Sequence, residues 1–499
     1  MPVPEEIRKV PRPKNTVCKA TSNPSIYLVI ERKGCRYDKG RRLPVNGSTI
    51  GHIIDGAYVP LGKGEAHGRL STSEPSMLKY GNVAFAHAVG RSLLPELGRV
   101  FDAKDAEQIY TIALVRAAFP DLKDYRIQEE YDKSWASQLF PRAAVSKSSV
   151  SSLMSRLGAN YSKLAEFMRN RVDAMAGPGM VTILDGMLKS NTSKVNSFSG
   201  FSFKSRIRGE KDIVVMVAFS ADKKEPICSK AFRGSMPDYT NFVDFAEEFN
   251  IREGTVIGDK AFEFDKIEGC PSLGYVYPCK RSSRRPKDLG CYKDMSMISD
   301  CGGLLLGKKV QDEKEGVWYY AFRDTDKENK EVRDFLKRAK KKGAFDQEKF
   351  ARRKELAGTV VFKSNVDFAL PDVYKLYRQR WEIELAFRSY KDLLKAATTR
   401  EHDDWSLVGS EFVNFLSVVM TCRMKNRIEE TDLFRKYTYG EILERLRDVF
   451  KVTIDKERKT WKTRPLSKED STILKILTED KTDSQNQKQK QSAQVKNGV

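Results

Sequence analysis

The stretch from Val181 to Asp259 restricts the possible folds of this chain more than any other. VTILD (Val181 to Asp185) is a short apolar run that ends in an aspartate and is followed by Gly186. DIVVMVAF (Asp212 to Phe219) is a second apolar run, and Pro226 to Phe232 is a third. Short runs rich in β-branched residues, bounded by turn formers, read as strands. From Asp238 to Phe249 the period changes, and Phe242, Phe245, Ala246 and Phe249 fall on one side of a helix. GTVIG (Gly254 to Gly258) then reads as a fourth strand running into Asp259. Three strands, a helix and a fourth strand specify an α/β fold, with an aspartate closing the first strand and another closing the fourth. A lone aspartate at a strand end is usually a turn or cap residue. Two at corresponding strand ends, with a third acid downstream, are poorly explained that way.

The third acid lies in DVYKLYRQRWEIELAFRSYKDLL (Asp372 to Leu394), which has no glycine and no internal proline. Pro371 precedes it, where the first turn of a helix tolerates proline. Leu376, Ile383, Phe387, Tyr390 and Leu394 make one apolar stripe at helical spacing. Tyr377, Arg380, Glu384 and Lys391 share a sector roughly 60° wide beside it. One carboxylate therefore stands in line with an aromatic hydroxyl and two cations.

The spacing Y-x2-R-x3-E-x6-K of Tyr377, Arg380, Glu384 and Lys391 resembles the YREK signature of a large group of bacterial insertion-sequence transposases. Asp259, Ala261 and Phe264 match that group's second motif, D-x-G/A-x2-Y/F. By motif order and spacing the resemblance covers roughly residues 180 to 425. It implies a ribonuclease-H-like (retroviral-integrase-like) catalytic core whose first and fourth strands are neighbours. Asp185 and Asp259 would then stand side by side, with Glu384 completing an Asp-Asp-Glu metal-binding triad. Hard divalent cations such as Mg²⁺ or Mn²⁺ want oxygen ligands, and two ions together can activate a water and neutralise a leaving oxygen. The resemblance further implies that water frees a 3′-hydroxyl at an element's end, and that this hydroxyl attacks target DNA. Arg380 and Lys391 would hold phosphates near the scissile bond, with Tyr377 as a third contact and Arg388 close to the same face. The partners would be double-stranded DNA, as terminal inverted repeats and target, and a second copy of the chain in the end-paired complex. Relatives that form hairpin ends stack an extruded base on an insertion aromatic, which makes Trp318 a candidate beside Tyr319 and Tyr320.

Charge agrees with a polyanion partner: 89 Lys and Arg face 68 Asp and Glu, a formal net charge of +21. The most apolar run, Phe412 to Cys422, is broken by Asn414 and Ser417 and is too short to span a bilayer. The start, MPVPEEIRKVPRPKN, carries no apolar signal segment. A soluble bacterial protein is expected, cytoplasmic and associated with the nucleoid. Cys270, Cys279, Cys291 and Cys301 cluster, but without a C-x2-C pair or a nearby histidine, so thiols are expected rather than a zinc site.

The remaining chain divides by composition. Residues 1–73 read as a basic arm and a small β element: a loose arm to about residue 22, the strand Ile26 to Ile30, and six cations from Arg32 to Arg42. Asn46-Gly47 and Asp55-Gly56 are turn signals around Thr49 to Ile54. Residues 74–176 read as a helical, DNA-end-binding region, in which VSKSSVSSLMSRLG (Val145 to Gly158) resembles a recognition helix of a helix-turn-helix. Residues 177–265 and 358–425 form the two parts of the core, interrupted by a mainly β insertion at 266–357. Residues 426–478 are helical, opened by the capping box Thr438-x2-Glu441, and 479–499 are a polar tail expected to be disordered. Two other functions are compatible with the same residues: a metal-dependent nuclease without strand transfer, and a transposase-derived DNA-binding protein without activity.

Overall fold

The computed structural model describes residues 3–21, 26–38, 41–60, 76–120, 122–193, 195–202, 209–235, 238–259, 272–298, 304–388, 398–399, 401–453 and 460–479. The tail expected to be disordered lies outside these residues, apart from Glu479. The chain divides into two units, Met1–Pro75 and Ser76–Val499.

The first unit holds α1 (Glu5–Lys9) and four antiparallel strands, β1 (Thr16–Ala20), β2 (Ile26–Asp38), β3 (Arg41–Ile54) and β4 (Ala57–Pro60), in that spatial order. Two expectations change here. The N-terminal arm is partly ordered: Arg12 Nη1 donates to the carbonyls of Arg8 (2.8 Å) and Val10 (3.1 Å), and β1 pairs with β2. Asn46-Gly47 is not a turn but lies within β3, where the stem of Lys33 crosses Gly47; a Cβ there would sit 2.9 Å from it. Asp55 and Gly56, with φ of 49° and 78°, do form the turn from β3 to β4. Two successive left-handed residues match the twist of a hairpin, which is why an Asp-Gly pair serves there.

The second unit opens with β5 (Ser76–Lys79) and the helices α2 (Gly81–Gly90), α3 (Leu93–Gly98), α4 (Ala103–Ala118), α5 (Ile127–Asp132), α6 (Ala136–Leu139), α7 (Lys147–Ala159) and α8 (Tyr161–Met175). The sheet then begins with β6 (Val181–Asn191), β7 (Asp212–Ser220) and β8 (Glu225–Arg233), followed by α9 (Asp238–Glu248), β9 (Thr255–Ile257) and β10 (Gly274–Pro278). Next come α10 (Arg284–Asp288), β11 (Ser296–Ile298), β12 (Leu305–Asp312), β13 (Val317–Asp324), α11 (Thr325–Lys342), α12 (Gln347–Glu355) and β14 (Thr359–Ser364). The unit ends with α13 (Leu370–Arg388), β15 (Thr398–Thr399), α14 (Asp404–Glu429), α15 (Tyr439–Arg447), β16 (Phe450–Thr453), β17 (Lys462–Thr463) and α16 (Lys468–Thr478).

Ten strands form one sheet in the order β11-β12-β13-β14-β10-β9-β6-β7-β8, with β15 alongside β6. β9 runs parallel to both β6 and β10, while β7 and β8 are antiparallel. β11, β12 and β13 continue this sheet beyond β14 rather than forming a separate β body, and α11 and α12 follow them. Side chains alternate across a strand, and the two faces have different covers. Leu184, Val214, Met216 and Ala218 join a core with α4, α7, α8 and α14. Ile183, Val215, Val217 and Phe219 join a core that includes Val373 and Ile383 of α13.

α14 binds the helical region to the sheet. It is 26 residues long, and by length and composition it could cross a bilayer, but 89% of its apolar window is buried inside the protein. The run Phe412 to Cys422 is thus part of a longer core helix. α7 crosses α14 backbone to backbone: a Cβ on Gly409 would lie 2.0 Å from the Met154 carbonyl oxygen, and one on Gly158 would lie 2.0 Å from that of Trp405. The helix expected in Val145 to Gly158 is present as α7, with its polar start, and turns its apolar side to α14. Its apolar face is a core surface, and only Asn160 separates it from α8. Lys147, Ser148, Ser151 and Ser152 remain exposed. A buried ion cluster adds to the join: Glu225, at the start of β8, accepts from Arg171 of α8 (2.8 Å) and from Arg423 of α14 (2.7 and 2.9 Å). The capping box at Thr438 and Glu441 is formed.

Candidate active site

The parallel pairing of β6 with β9 sets the site. Val181, Thr182 and Ile183 lie opposite Thr255, Val256 and Ile257. Asp185 and Asp259 each stand two residues beyond the last matched pair, so they are level with each other. The strand of Asp185 does not end there, as the sequence suggested. β6 continues to Asn191, paired with β7 and finally with β15. Asp185 shares its face with Ile183 and Met187, the face over which α13 packs.

α13 brings the other residues. Its Val373 and Ile383 are fully buried, and Leu376, Tyr377 and Phe387 pack at the edge of the same core. That fixes the rotation of the helix and turns Arg380 toward the aspartates. Arg380 Nη2 lies 3.6 Å from Asp185 Oδ2, and Nη1 lies 3.8 Å from Asp259 Oδ1. Both distances exceed a direct hydrogen bond, and the buried Arg380 Nε has no partner among the described residues. The guanidinium therefore neutralises the aspartates without being saturated by them.

The electrostatics follow from this placement. Burial pushes the Asp185 carboxyl up to about 6. Arg380 and the N–H of Gly186 (2.9 Å) oppose that rise, while the charges of Asp259 and Glu384 add to it. Burial works to lower the pKa of Arg380, but Asp185, Asp259, Tyr377 and Glu384 carry it above its ordinary value. Glu384, one turn beyond Arg380, is exposed yet acts on both Asp185 and Arg380.

Arg380 and Glu384 open onto a groove of about 820 Å³, which Lys327, Tyr374, Lys375, Tyr377 and Arg378 also line. The ring of Tyr377 packs 4.6 Å from that of Phe362, so this residue also serves the core. Lys327 carried no signal in the sequence, because it belongs to a charged helix remote in the chain. The position of Arg380 between the aspartates was also missed, since the signature places it only on a helix face. Among the described residues, no three His, Cys, Asp or Glu side chains converge on one point. Asp185 and Asp259 are instead adjacent with Arg380 beside them, and Glu384 lies within electrostatic reach. This donor set is all oxygen and anionic, the ligand chemistry that a hard divalent cation takes.

Lys391, Ala261 and Phe264 lie outside the described residues, and Arg388 is the last residue of α13. In the insertion, Tyr319 and Tyr320 are core residues, 4% and 0% exposed. Trp318 is half-buried, and Lys309 Nζ stands 4.3 Å over its ring. Cys291 is fully buried beside Val317 and Tyr319, and burial pushes its thiol up to about 11. Cys270 and Cys301 lie outside the described residues.

Comparison with known proteins adds to this geometry. Residues 180–408 match a family model described as a transposase DDE domain, a span that includes Asp185, Asp259, Arg380 and Glu384. A similar solved structure is a piggyBac transposase synaptic complex with hairpin DNA. It is 8% identical, with a TM-score of 0.37 over 82% of this chain and 88% of that one. No curated protein matches.

Proposed function

We propose that this chain, whose residues 180–408 match the transposase DDE domain, is a metal-dependent transposase. It cuts at the ends of a bacterial insertion sequence and joins the freed ends to target DNA, acting in the cytoplasm at the nucleoid as a homodimer that pairs two ends. The observation that carries this reading is the register of β6 and β9, which sets Asp185 level with Asp259 beneath the helix that bears Glu384. The strand order β8-β7-β6-β9-β10, with β9 parallel to both neighbours, supports a ribonuclease-H-like core. The spacing of Tyr377, Arg380, Glu384 and Lys391 supports membership of the YREK group.

Asp185, Asp259 and Glu384 would hold Mg²⁺ or Mn²⁺, as two ions. Bound there, the ions supply an activated oxygen nucleophile and neutralise charge on the leaving oxygen. At neutral pH Asp185, with its pKa at about 6, is ionised and able to act as a ligand. Arg380 presents an unsaturated guanidinium fork beside the carboxylates, suited to a phosphate. Tyr377, with Arg378, Lys375 and Lys327 along the groove, would orient the backbone on either side of that phosphate. Lys391 and Arg388 would contribute further phosphate contacts.

The test is to incubate the full chain with its element's ends and a target plasmid, in Mg²⁺ or Mn²⁺, and map the products. Asp185→Asn, Asp259→Asn and Glu384→Gln should each abolish cutting while duplex binding in EDTA is kept. Robust metal-dependent cutting by any of the three would sink the assignment. Cut ends without joined product would favour a nuclease, and binding without either product would favour an inactive derivative.

A further inference from the structure

The hairpin of β2 and β3 is longer than the sheet that contains it. β1 covers β2 only from Tyr27 to Glu31, and β4 covers β3 only from Gly51 to Ile54. Beyond that base, Arg32 to Asp38 pairs with Arg41 to Asn46 and, among the described residues, with no other strand. Successive side chains of a strand point to opposite faces. Glu31 through Cys35 and Leu43 through Asn46 are all exposed, so where the side chains are described neither face of this ribbon is covered. An isolated two-stranded ribbon is marginal in water, and this one also exposes Leu43 and Val45, at 37% and 39%. The register shifts between Val29 and Gly34 twist it further. Its composition points to what covers it. From Arg32 to Arg42 there are six Lys or Arg residues and one carboxylate, Asp38.

We propose that this projecting ribbon binds duplex DNA by entering the major groove. At ~3.3 Å per residue the paired part spans about 20 Å. The major groove, about 12 Å wide, admits a two-stranded ribbon, whereas a minor groove of about 6 Å does not. The cations would meet phosphates on the groove walls, and the uncovered faces would meet base edges and thymine methyl groups. An RNA duplex is a poor fit, because its major groove is deep and narrow. The choice of DNA as partner rests on the proposed function, but the geometry of entry does not.

The experiment uses the full chain in EDTA, so binding is read without cutting. The probes are the DNA duplex bordering the reading frame, the same duplex with 7-deazapurines (which lack the major-groove N7 acceptor), and an RNA duplex of the same sequence. Wild type should bind the deaza duplex and the RNA duplex more weakly than the natural duplex. Arg32→Ala with Lys33→Ala should weaken binding to the natural duplex about tenfold and lower the salt slope by about 0.9 for each phosphate no longer neutralised. The charge-keeping pair Arg32→Lys with Lys33→Arg should restore the slope. Unchanged affinity and slope in the alanine pair, indifference of wild type to the deaza duplex, or RNA bound as tightly as DNA would each overturn the proposal. If the ribbon proves dispensable while Mg²⁺-dependent cutting persists, this inference fails and the transposase reading stands. Ribbon-dependent binding without any cutting gives the reverse.

Discussion

Replacing Glu225 by Gln tests how the helical region is fastened to the ten-stranded sheet. Glu225 is 6% exposed and lies between two guanidiniums. Arg171, itself 3% exposed, keeps Glu96 (2.8 Å) and the carbonyls of Pro226 and Ile227 as partners. Arg423 keeps the Ser92 hydroxyl (2.8 Å). Removing one partner of a buried pair costs about 3–5 kcal/mol, because the other charge is left uncompensated. Glu96 offsets part of that loss, so about 3 kcal/mol is expected. That is a large fraction of the ~5–15 kcal/mol by which a folded protein is stable. Burial works to raise the Glu225 pKa, but Arg423 and Arg171 prevail and hold it below its ordinary value. The stabilisation should be fully present above the unfolded carboxyl value of about 4.3 and be lost as pH falls through the lower folded value. Urea unfolding followed by tryptophan fluorescence suits the question, since all five tryptophans lie in the Ser76–Val499 unit. A difference under about 1 kcal/mol at neutral pH, or one that does not shrink below about pH 4, would refute the reasoning.

Arg380→Ala should weaken end binding, lower the salt slope by about 0.9 for the phosphate it no longer neutralises, and reduce cutting, as should Lys391→Ala; a salt titration showing no change would argue against a phosphate role. Gly409→Ala drives a methyl into the Met154 carbonyl and should cost about 3 kcal/mol, read as a lower urea midpoint. Trp318→Ala should lower stability by about 2 kcal/mol and leave cutting intact, because Lys309 already stands over its ring. Selective loss of cutting at unchanged stability would instead put that ring against DNA.

What could be read from the sequence followed the range of the signal. Asp185 and Asp259 were legible because each closes a short apolar run, and strand pairing then needs only the order of the runs. The α13 stripe was legible because Ile383 and its neighbours repeat at helical spacing. The groove was not, because Lys327 joins Arg378 only through tertiary folding. Asn46-Gly47 misled because turn propensity is local, whereas the strand around it is held by cross-strand pairing with Arg32 and by Lys33 lying across the glycine. The serine-rich α7 was legible only in part. Its polar start and apolar side follow from helical spacing, but the partner of the apolar side does not. Nothing short of the fold shows that Gly158 and Gly409 sit where those two helices cross.

The union of the helical region with α14 also sets a clock on biosynthesis. Arg116 of α4 donates to Asn414 of α14 across 298 residues of chain (2.8 Å). At a synthesis rate of about 5–20 residues per second, α4 waits roughly 15–60 s for the helix it packs against. Through that interval the faces of α4 and α7 that meet α14 have left the ribosome without that cover. The unit's shared core therefore closes only after α14 has been made. A polypeptide stopped anywhere before Glu429 loses not a separable domain but the interior common to both regions.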